Sequence, residues 1–165
     1  RVCAVMLEAI QAEGGVIPAP PGYLEAVRAL CDEREVLLIA DEVQTGLGRT
    51  GRWFGFEHGE DVRPDIVALA KALGNGMPIT ALVGRSDLMD KFVTKDDGSG
   101  PYAFYSGTHF GETLSMAAAL AVLRMILLVL IRVQKVPSAA FASAAPATSQ
   151  AATGCSSVRS TSASG

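Results

Sequence analysis

Several features that mark particular classes of protein are missing from this 165-residue chain. Its three cysteines, Cys3, Cys31 and Cys155, are widely spaced and odd in number. That pattern argues against a disulfide framework or a zinc site and favours a reducing compartment. Lysine and arginine form no cluster, and the net charge of -3 argues against a nucleic-acid partner held by charge. His58 and His109 have no second ligand at useful spacing, so we expect no metal site.

The first residues lack a signal-peptide pattern, so we expect no signal peptide. The chain starts with Arg1 rather than methionine and leads directly into an apolar run, so we expect its natural start to be missing. Its length fits one domain, and 49% hydrophobic residues are enough to bury a core. With the cysteine pattern, these features predict a cytoplasmic protein.

The composition changes towards the carboxyl end of the chain. Over residues 137–165 almost every residue is Ala, Ser or Thr, without periodicity. Such a segment cannot bury enough apolar surface to offset the entropy of ordering it. We therefore predict one folded unit over residues 1–131 and a disordered low-complexity tail over residues 132–165. The apolar stretch 114–131 is about long enough to cross a membrane, but Arg124 within it favours a packed helix and no membrane partner.

Short apolar runs alternate with helical patterns in the first part of the chain. The runs predict strands at residues 2–7, 36–40 and 65–70, and residues 79–83 form a fourth apolar run. The helical patterns predict an amphipathic helix over 22–34, a short helix capped by Ser86 and Asp87 and ending at Phe92, and a long helix from Thr113 to about Ile126. Strand, helix and strand in this order predict an α/β fold with a mostly parallel sheet flanked by helices.

Polar side chains follow two of the predicted strands at the point where each strand ends. Asp41 comes directly after the second strand, and Lys71 follows the third. Ligands gather at the edge where parallel strands of an open α/β sheet end. A lysine that forms a Schiff base and an aspartate that pairs with a pyridinium nitrogen are the groups that pyridoxal phosphate (PLP) chemistry requires.

Several segments, in this order, resemble the class III PLP-dependent aminotransferases. That group includes ornithine, acetylornithine and 4-aminobutyrate aminotransferases and glutamate-1-semialdehyde aminomutase. The matching segments are residues 8–16, 38–51, 64–67, 71–74 and 106–114. The resemblance covers roughly residues 2–126. It implies that residues 1–131 are a partial PLP-binding large domain, a fragment of a fold-type-I PLP-dependent transferase.

The resemblance implies a role for each of five residues. Lys71 would be the catalytic residue that forms the Schiff base, and Asp41 would pair with the pyridine nitrogen. Val43 would pack on the ring, and Gln44 would hydrogen-bond its phenolic oxygen. Thr108 would bind the phosphate of the cofactor held by the other subunit of a homodimer. Without the resemblance, Lys71 would be an ordinary surface lysine and Asp41 a helix cap. Val43 would be a core valine, Gln44 a loop amide and Thr108 a capping hydroxyl.

Two glutamates match positions on the substrate side of the family's site. Glu13 matches a residue that gates the pocket in some relatives, and Glu8 matches one that lies close to the cofactor. Each of these two glutamates could equally be a loop carboxylate without a role in the site. The chain has Ala9 and Ala12 where relatives often have proline and glycine.

The implied reaction moves an amino group from a small amino substrate to an oxo acid. The substrate stays open because the branch signals conflict. Glu112 and Thr113, in place of Asn-Pro, resemble the aminomutase branch, whereas Gln44 and the 49–51 motif resemble the ornithine and 4-aminobutyrate branch. A parent enzyme that is an aminomutase or a decarboxylase would use the same lysine and aspartate. The other alternative is that the chain is a catalytically inert fragment.

Overall fold

The computed structural model describes residues 1–92 and 111–134, with side chains to residue 129. Within these residues the strands are β1 Ala4–Leu7, β2 Ile10–Gln11, β3 Ile17–Pro18, β4 Leu37–Asp41, β5 Ile66–Leu69 and β6 Ala81–Gly84. The α-helices are α1 Tyr23–Glu33, α2 Ser86–Met89 and α3 Thr113–Gln134. Short 3₁₀ helices span Gly55–His58, Lys71–Leu73 and Asp90–Phe92.

Four strands form one sheet in the order β1-β4-β5-β6. The pairs β1–β4 and β4–β5 are parallel, and β6 runs antiparallel to β5. Helix α1 makes the crossover from β1 to β4, as the predicted βαβ unit requires. The expected α/β fold with a mostly parallel sheet is confirmed. Strands β2 and β3 form a separate two-residue antiparallel pair, which the strand prediction did not include.

The register of the parallel strands decides which residues meet at the carboxyl edge of the sheet. Leu7 of β1 lies opposite Ala40 of β4, and Asp41 lies opposite Ala68 of β5. The chain therefore leaves all three strands at nearly the same level. Residues that directly follow these strands are brought together there.

The helices pack on the sheet through two hydrophobic clusters. In the first, Leu24 and Cys31 of α1 are buried with Leu38 of β4. In the second, Ala119 of α3 is buried with Leu69 of β5 and with residues that precede and follow Leu69 in the chain. The 23–33 helix forms because its apolar residues recur on one face, which supplies a stripe to the sheet.

The predicted cap of the short helix is wrong. Ser86 is the first residue of α2, and Arg85 occupies the N-cap without a side-chain cap bond. The carboxylate of Asp87 instead accepts hydrogen bonds from Arg85 Nε and Nη2, at 3.0 and 2.9 Å. An ion pair with the guanidinium has taken the place of a bond to the helix amides. The helix ends at Met89, and a 3₁₀ turn continues to Phe92.

Helix α3 is longer than its apolar pattern suggested. It continues past Ile126 to Gln134, because the aliphatic run after Ile126 contains no glycine or proline to end it. The helix includes the first three residues of the segment 132–165. The rest of that segment lies outside the described residues, so the predicted tail stays a prediction. Among the residues described, no helix is long and apolar enough to cross a membrane.

A buried carboxylate joins the sheet to the helices at the edge opposite the carboxyl ends. Asp65 Oδ2 accepts hydrogen bonds from Leu38 N at 2.8 Å and from Arg28 at 2.9 Å. Its Oδ1 accepts one from Arg85 at 2.8 Å. Burial would raise the pKa of Asp65, but the Leu38 amide and the two guanidinium groups outweigh it and hold the pKa below its usual value.

We expect Asp65→Asn to lower the free energy of unfolding by about 3 kcal/mol, because Arg28 and Arg85 lose the buried carboxylate that they share and the half-buried Arg28 keeps only the exposed Asp32. Because the folded pKa is lowered, this stabilisation is present above the unfolded pKa of about 3.9 and is lost as pH falls through the folded value. Urea unfolding at pH 7 and at lower pH measures both effects. The control is Asp87→Asn, whose exposed pair should contribute less than about 1 kcal/mol. Equal costs for the two variants would contradict the role of Asp65.

Candidate active site

Three predicted site residues meet at the carboxyl edge of the sheet. Asp41 is the last residue of β4, and Glu8 follows the residue of β1 that lies opposite Ala40. Lys71 lies three positions beyond Ala68, the partner of Asp41 on β5. Neighbouring strands are about 4.8 Å apart, so the three side chains start from adjacent positions. The structure thus places the predicted lysine and aspartate on neighbouring strand ends.

Asp41 presents a fixed carboxylate with an open acceptor position. The residue is half-buried, and its Oδ1 accepts a hydrogen bond from Val43 N at 3.1 Å. In residues 1–92 and 111–134, no donor reaches its Oδ2. This local bond holds the side chain at the strand end, where it leaves one oxygen for an external donor such as a protonated ring nitrogen. The site therefore fits the pyridine of PLP in this respect.

Lys71 lies in a strained backbone conformation. Its φ is +35°, in the region that residues other than glycine rarely occupy, and it opens a 3₁₀ turn. The turn is closed by the hydrogen bond from Leu73 N to the carbonyl of Ala70, at 2.8 Å, and Leu73 is buried. Strain of this kind persists where packing imposes it, and it clusters at functional sites. The exposed amine forms no ion pair within the described part of the chain.

A cleft of about 1460 Å³ opens beside Lys71. The 3₁₀ turn, β6 and the first turn of α3 form its walls, and Arg49 and Ser115 lie among the lining residues. Of the predicted residues that the structure describes, Lys71 lines this cleft, and Asp41, Val43 and Gln44 do not. Lys71 therefore lies between the strand ends on one side and the open cleft on the other.

The remaining predicted residues divide into four groups. Glu13 and Gln44 contact each other, since Gln44 Nε2 donates to Glu13 Oε1 at 3.1 Å. Glu8 contacts the backbone, because its Oε2 accepts a hydrogen bond from the amide of Ala12 at 3.1 Å. Val43 is half-buried in the loop after β4. Thr108 lies outside the described residues.

Glu42 is a residue to which the sequence analysis gave no role. It is 2% exposed, and three donors reach its carboxylate. Its Oε2 accepts from Thr45 Oγ1 at 2.5 Å and Gly55 N at 2.8 Å, and its Oε1 accepts from Phe56 N at 2.9 Å. The sequence did contain a signal for such a role. Glu42 directly follows a buried strand, and the hydroxyl residue Thr45 comes three positions later. The carboxylate anchors the loop that carries Val43 and Gln44.

Gly55 allows that anchor to form. A Cβ at position 55 would lie 2.9 Å from Thr45 Cβ and 3.3 Å from Glu42 Oε2. Any side chain would push the amide of Gly55 away from the carboxylate that it binds. Position 55 therefore requires glycine for steric reasons. With glycine there, the loop between β4 and the 3₁₀ helix can fold back onto Glu42.

The geometry agrees with the match to a family model. The model that describes aminotransferase class-III matches residues 1–160. The chain belongs to this family. An acetylornithine aminotransferase from Caldanaerobacter subterraneus subsp. tengcongensis is 50% identical over 126 residues, which are 76% of this chain and 30% of that protein. The class III family resemblance found in the motifs is confirmed.

Solved structures of class III enzymes match the same share of the chain. An ornithine aminotransferase from Plasmodium yoelii is 38% identical, with a TM-score of 0.65, over 76% of this chain and 31% of that one. An ornithine aminotransferase from Toxoplasma gondii is 42% identical, with a TM-score of 0.63, over 75% of this chain and 27% of that one. That structure has partial occupancy of PLP at its active site. The chain thus spans about three tenths of the length of these relatives.

We expect Glu42→Gln to lower the free energy of unfolding by about 2 kcal/mol, because its NH₂ group must face a buried donor and leave it unsatisfied. The matched control is Glu57→Gln. Glu57 Oε2 accepts a single bond, from Phe54 N at 3.1 Å, which a glutamine oxygen can keep, so its cost should stay below about 1 kcal/mol. Urea unfolding of both variants measures the difference. A cost for Glu42→Gln no larger than that of the control would show that the anchor is unimportant.

Proposed function

We propose that the carboxyl edge of this sheet binds PLP and supports the transfer of an amino group from a small amino substrate to an oxo acid. The observation that carries the proposal is the placement of Asp41 and Lys71. They follow neighbouring parallel strands, and in the part of the chain that the structure describes Asp41 has an open acceptor oxygen and the amine of Lys71 forms no ion pair. Membership of a PLP-dependent family supports the same assignment.

PLP, when bound, supplies an aldehyde that reacts with amines and a ring that draws electrons from the substrate carbon. Asp41 would accept a hydrogen bond from the ring nitrogen through Oδ2 and keep that nitrogen protonated. Val43 would pack on a face of the ring, and Gln44 would donate to its phenolic oxygen. Glu8 and Glu13 would lie on the substrate side. Each task matches the polarity of the side chain that performs it.

Lys71 would hold the cofactor covalently through Nζ and release it when a substrate amine takes its place. The freed Nζ would then move a proton from the substrate carbon to the cofactor. Its position on the wall of the cleft lets a substrate approach from the open side. A residue with this double task has to stay close to the reacting carbon, and the imposed turn at Lys71 supplies such a position.

The remaining parts of the proposal concern the surroundings of the reaction. We place the protein in the cytoplasm as a homodimer, with Thr108 contacting the phosphate of the partner subunit's cofactor. The relatives named for acetylornithine and ornithine support small amino acids as donors. An aminomutase or a decarboxylase would use the same lysine and aspartate.

A second candidate is a chain that performs no catalysis by itself. Exposed apolar surface favours it: Leu82 and Val83 of β6 are 43% and 42% exposed, and Leu128 of α3 is 63% exposed. In that case the edge would carry the predicted cofactor-binding residues without forming the Schiff base at Lys71.

Borohydride trapping separates the two candidates. The purified chain is incubated with PLP, reduced and mapped for pyridoxyl-peptides. We expect selective labelling of Lys71 over Lys91, which lies exposed on the 3₁₀ turn after α2, because Asp41, Val43 and Gln44 would hold the ring beside Lys71. The variant Lys71→Ala should lose the label, whereas Lys91→Ala should keep it. Label spread evenly over the lysines, or absent, would favour the inert chain.

We expect Asp41→Asn to weaken PLP capture about 10- to 100-fold, because a hydrogen bond between charged groups becomes a neutral one. The measurement is the PLP concentration that gives half-maximal labelling of Lys71. The control is Asp87→Asn, which makes the same aspartate-to-asparagine change at the opposite edge of the sheet. Unchanged capture in Asp41→Asn would remove Asp41 from the site.

A further inference from the structure

The tip of the β2–β3 hairpin is held in place by hydrogen bonds to its backbone. Glu8, at the end of β1, accepts a hydrogen bond from the amide of Ala12 at 3.1 Å. The carbonyl of Ala12 then accepts hydrogen bonds from Gly15 N at 3.2 Å and Val16 N at 3.1 Å. Glu13 therefore lies inside a closed turn. The hydrogen bond from Ala12 to Glu8 fixes the backbone of this turn relative to the end of β1.

From this turn Glu13 reaches a residue 31 positions away. Its Oε1 accepts a hydrogen bond from Gln44 Nε2 at 3.1 Å. A carboxylate can only accept, so the nitrogen of the Gln44 amide, and not the oxygen, must face Glu13. The opposite orientation would place two oxygens against each other. The contact thus selects one of the two amide orientations that are otherwise nearly equivalent.

The Gln44 amide has two N–H groups in one plane, and Glu13 uses one of them. The second N–H then points in a direction that is fixed relative to the first. Gln44 lies three positions after Asp41, in the loop that the buried Glu42 carboxylate anchors. Both ends of the Gln44 side chain are therefore constrained, its backbone by Glu42 and its amide by Glu13.

We propose that Glu13 is a positioning residue that locks the Gln44 amide so that its second N–H is presented to the phenolic oxygen of PLP. The inference rests on the proposed function, since it gives Gln44 the task described there. A phenolic oxygen that carries negative charge needs a donor. A free amide could turn its own oxygen towards it, and the locked amide cannot.

The first experiment needs no cofactor. The chain contains four glutamines and one asparagine, so the side-chain amide region of its ¹H–¹⁵N correlation spectrum holds few signals, and Gln44→Asn assigns one of them. We expect one Gln44 amide proton to be displaced downfield by the bond to Glu13. Glu13→Ala should remove the displacement, and Glu13→Gln, which keeps a neutral acceptor, should restore part of it. The exposed α1 variant Glu33→Ala is the control and should change nothing.

The second experiment measures PLP capture at Lys71 by the same borohydride labelling. We expect Glu13→Ala to weaken capture about 2- to 10-fold, the range that one hydrogen bond produces, and Glu13→Gln to recover most of the loss. A Gln44 amide signal that is the same in wild type and Glu13→Ala overturns the inference. So does an altered signal with unchanged capture. A wild-type chain that captures no PLP contradicts the proposed function instead, and the amide spectrum then decides alone whether Glu13 locks Gln44.

Discussion

The parallel pairing of β1, β4 and β5 is the constraint on which the site depends. Parallel strands leave the sheet in the same direction, and here their register is level to within a few residues. Glu8, Asp41 and Lys71 are separated by about thirty positions along the chain, yet they follow adjacent strands. An antiparallel partner cannot contribute in this way, and β6, which is antiparallel, lines the cleft with its side chains instead of ending at the same edge.

Two buried carboxylates fix the two edges of this sheet. Asp65 binds the β4 backbone and the guanidinium groups of Arg28 and Arg85 at the amino edge. Glu42 binds the loop that returns over the carboxyl edge. Each has three hydrogen bonds that satisfy its charge, which is the condition for burying a carboxylate without a large penalty. Because both edges are held in this way, the strained turn at Lys71 can persist at the carboxyl edge.

Part of this arrangement was predictable from the sequence. The apolar runs predicted β1, β4 and β5, because a buried parallel strand leaves a continuous apolar signature, and the antiparallel β6 falls on the fourth apolar run. The positions of Asp41 and Lys71 after two of these runs predicted the shared edge. The bounds differ by one or two residues at most strand ends, which is the usual uncertainty where a strand meets a loop.

The long-range side-chain contacts were not predictable in the same way. The bond between Glu13 and Gln44 depends on the shape of two loops, and one of them requires a positive φ at Leu47, where the sequence has no glycine. The role of Glu42 depends on where the chain returns thirteen positions later, at Gly55. The failed cap at Ser86 has a similar origin, because the guanidinium of Arg85 competes for the carboxylate of Asp87. Local patterns do not encode such competition.

The most direct test is a crystal structure of the chain grown with PLP. The account predicts electron density that joins the cofactor to Lys71 Nζ, with the ring nitrogen against Asp41 Oδ2 at the carboxyl edge of the sheet. Cofactor bound only in the cleft between β6 and α3, without contact to Asp41, would contradict it. Cofactor attached to another lysine would contradict it equally.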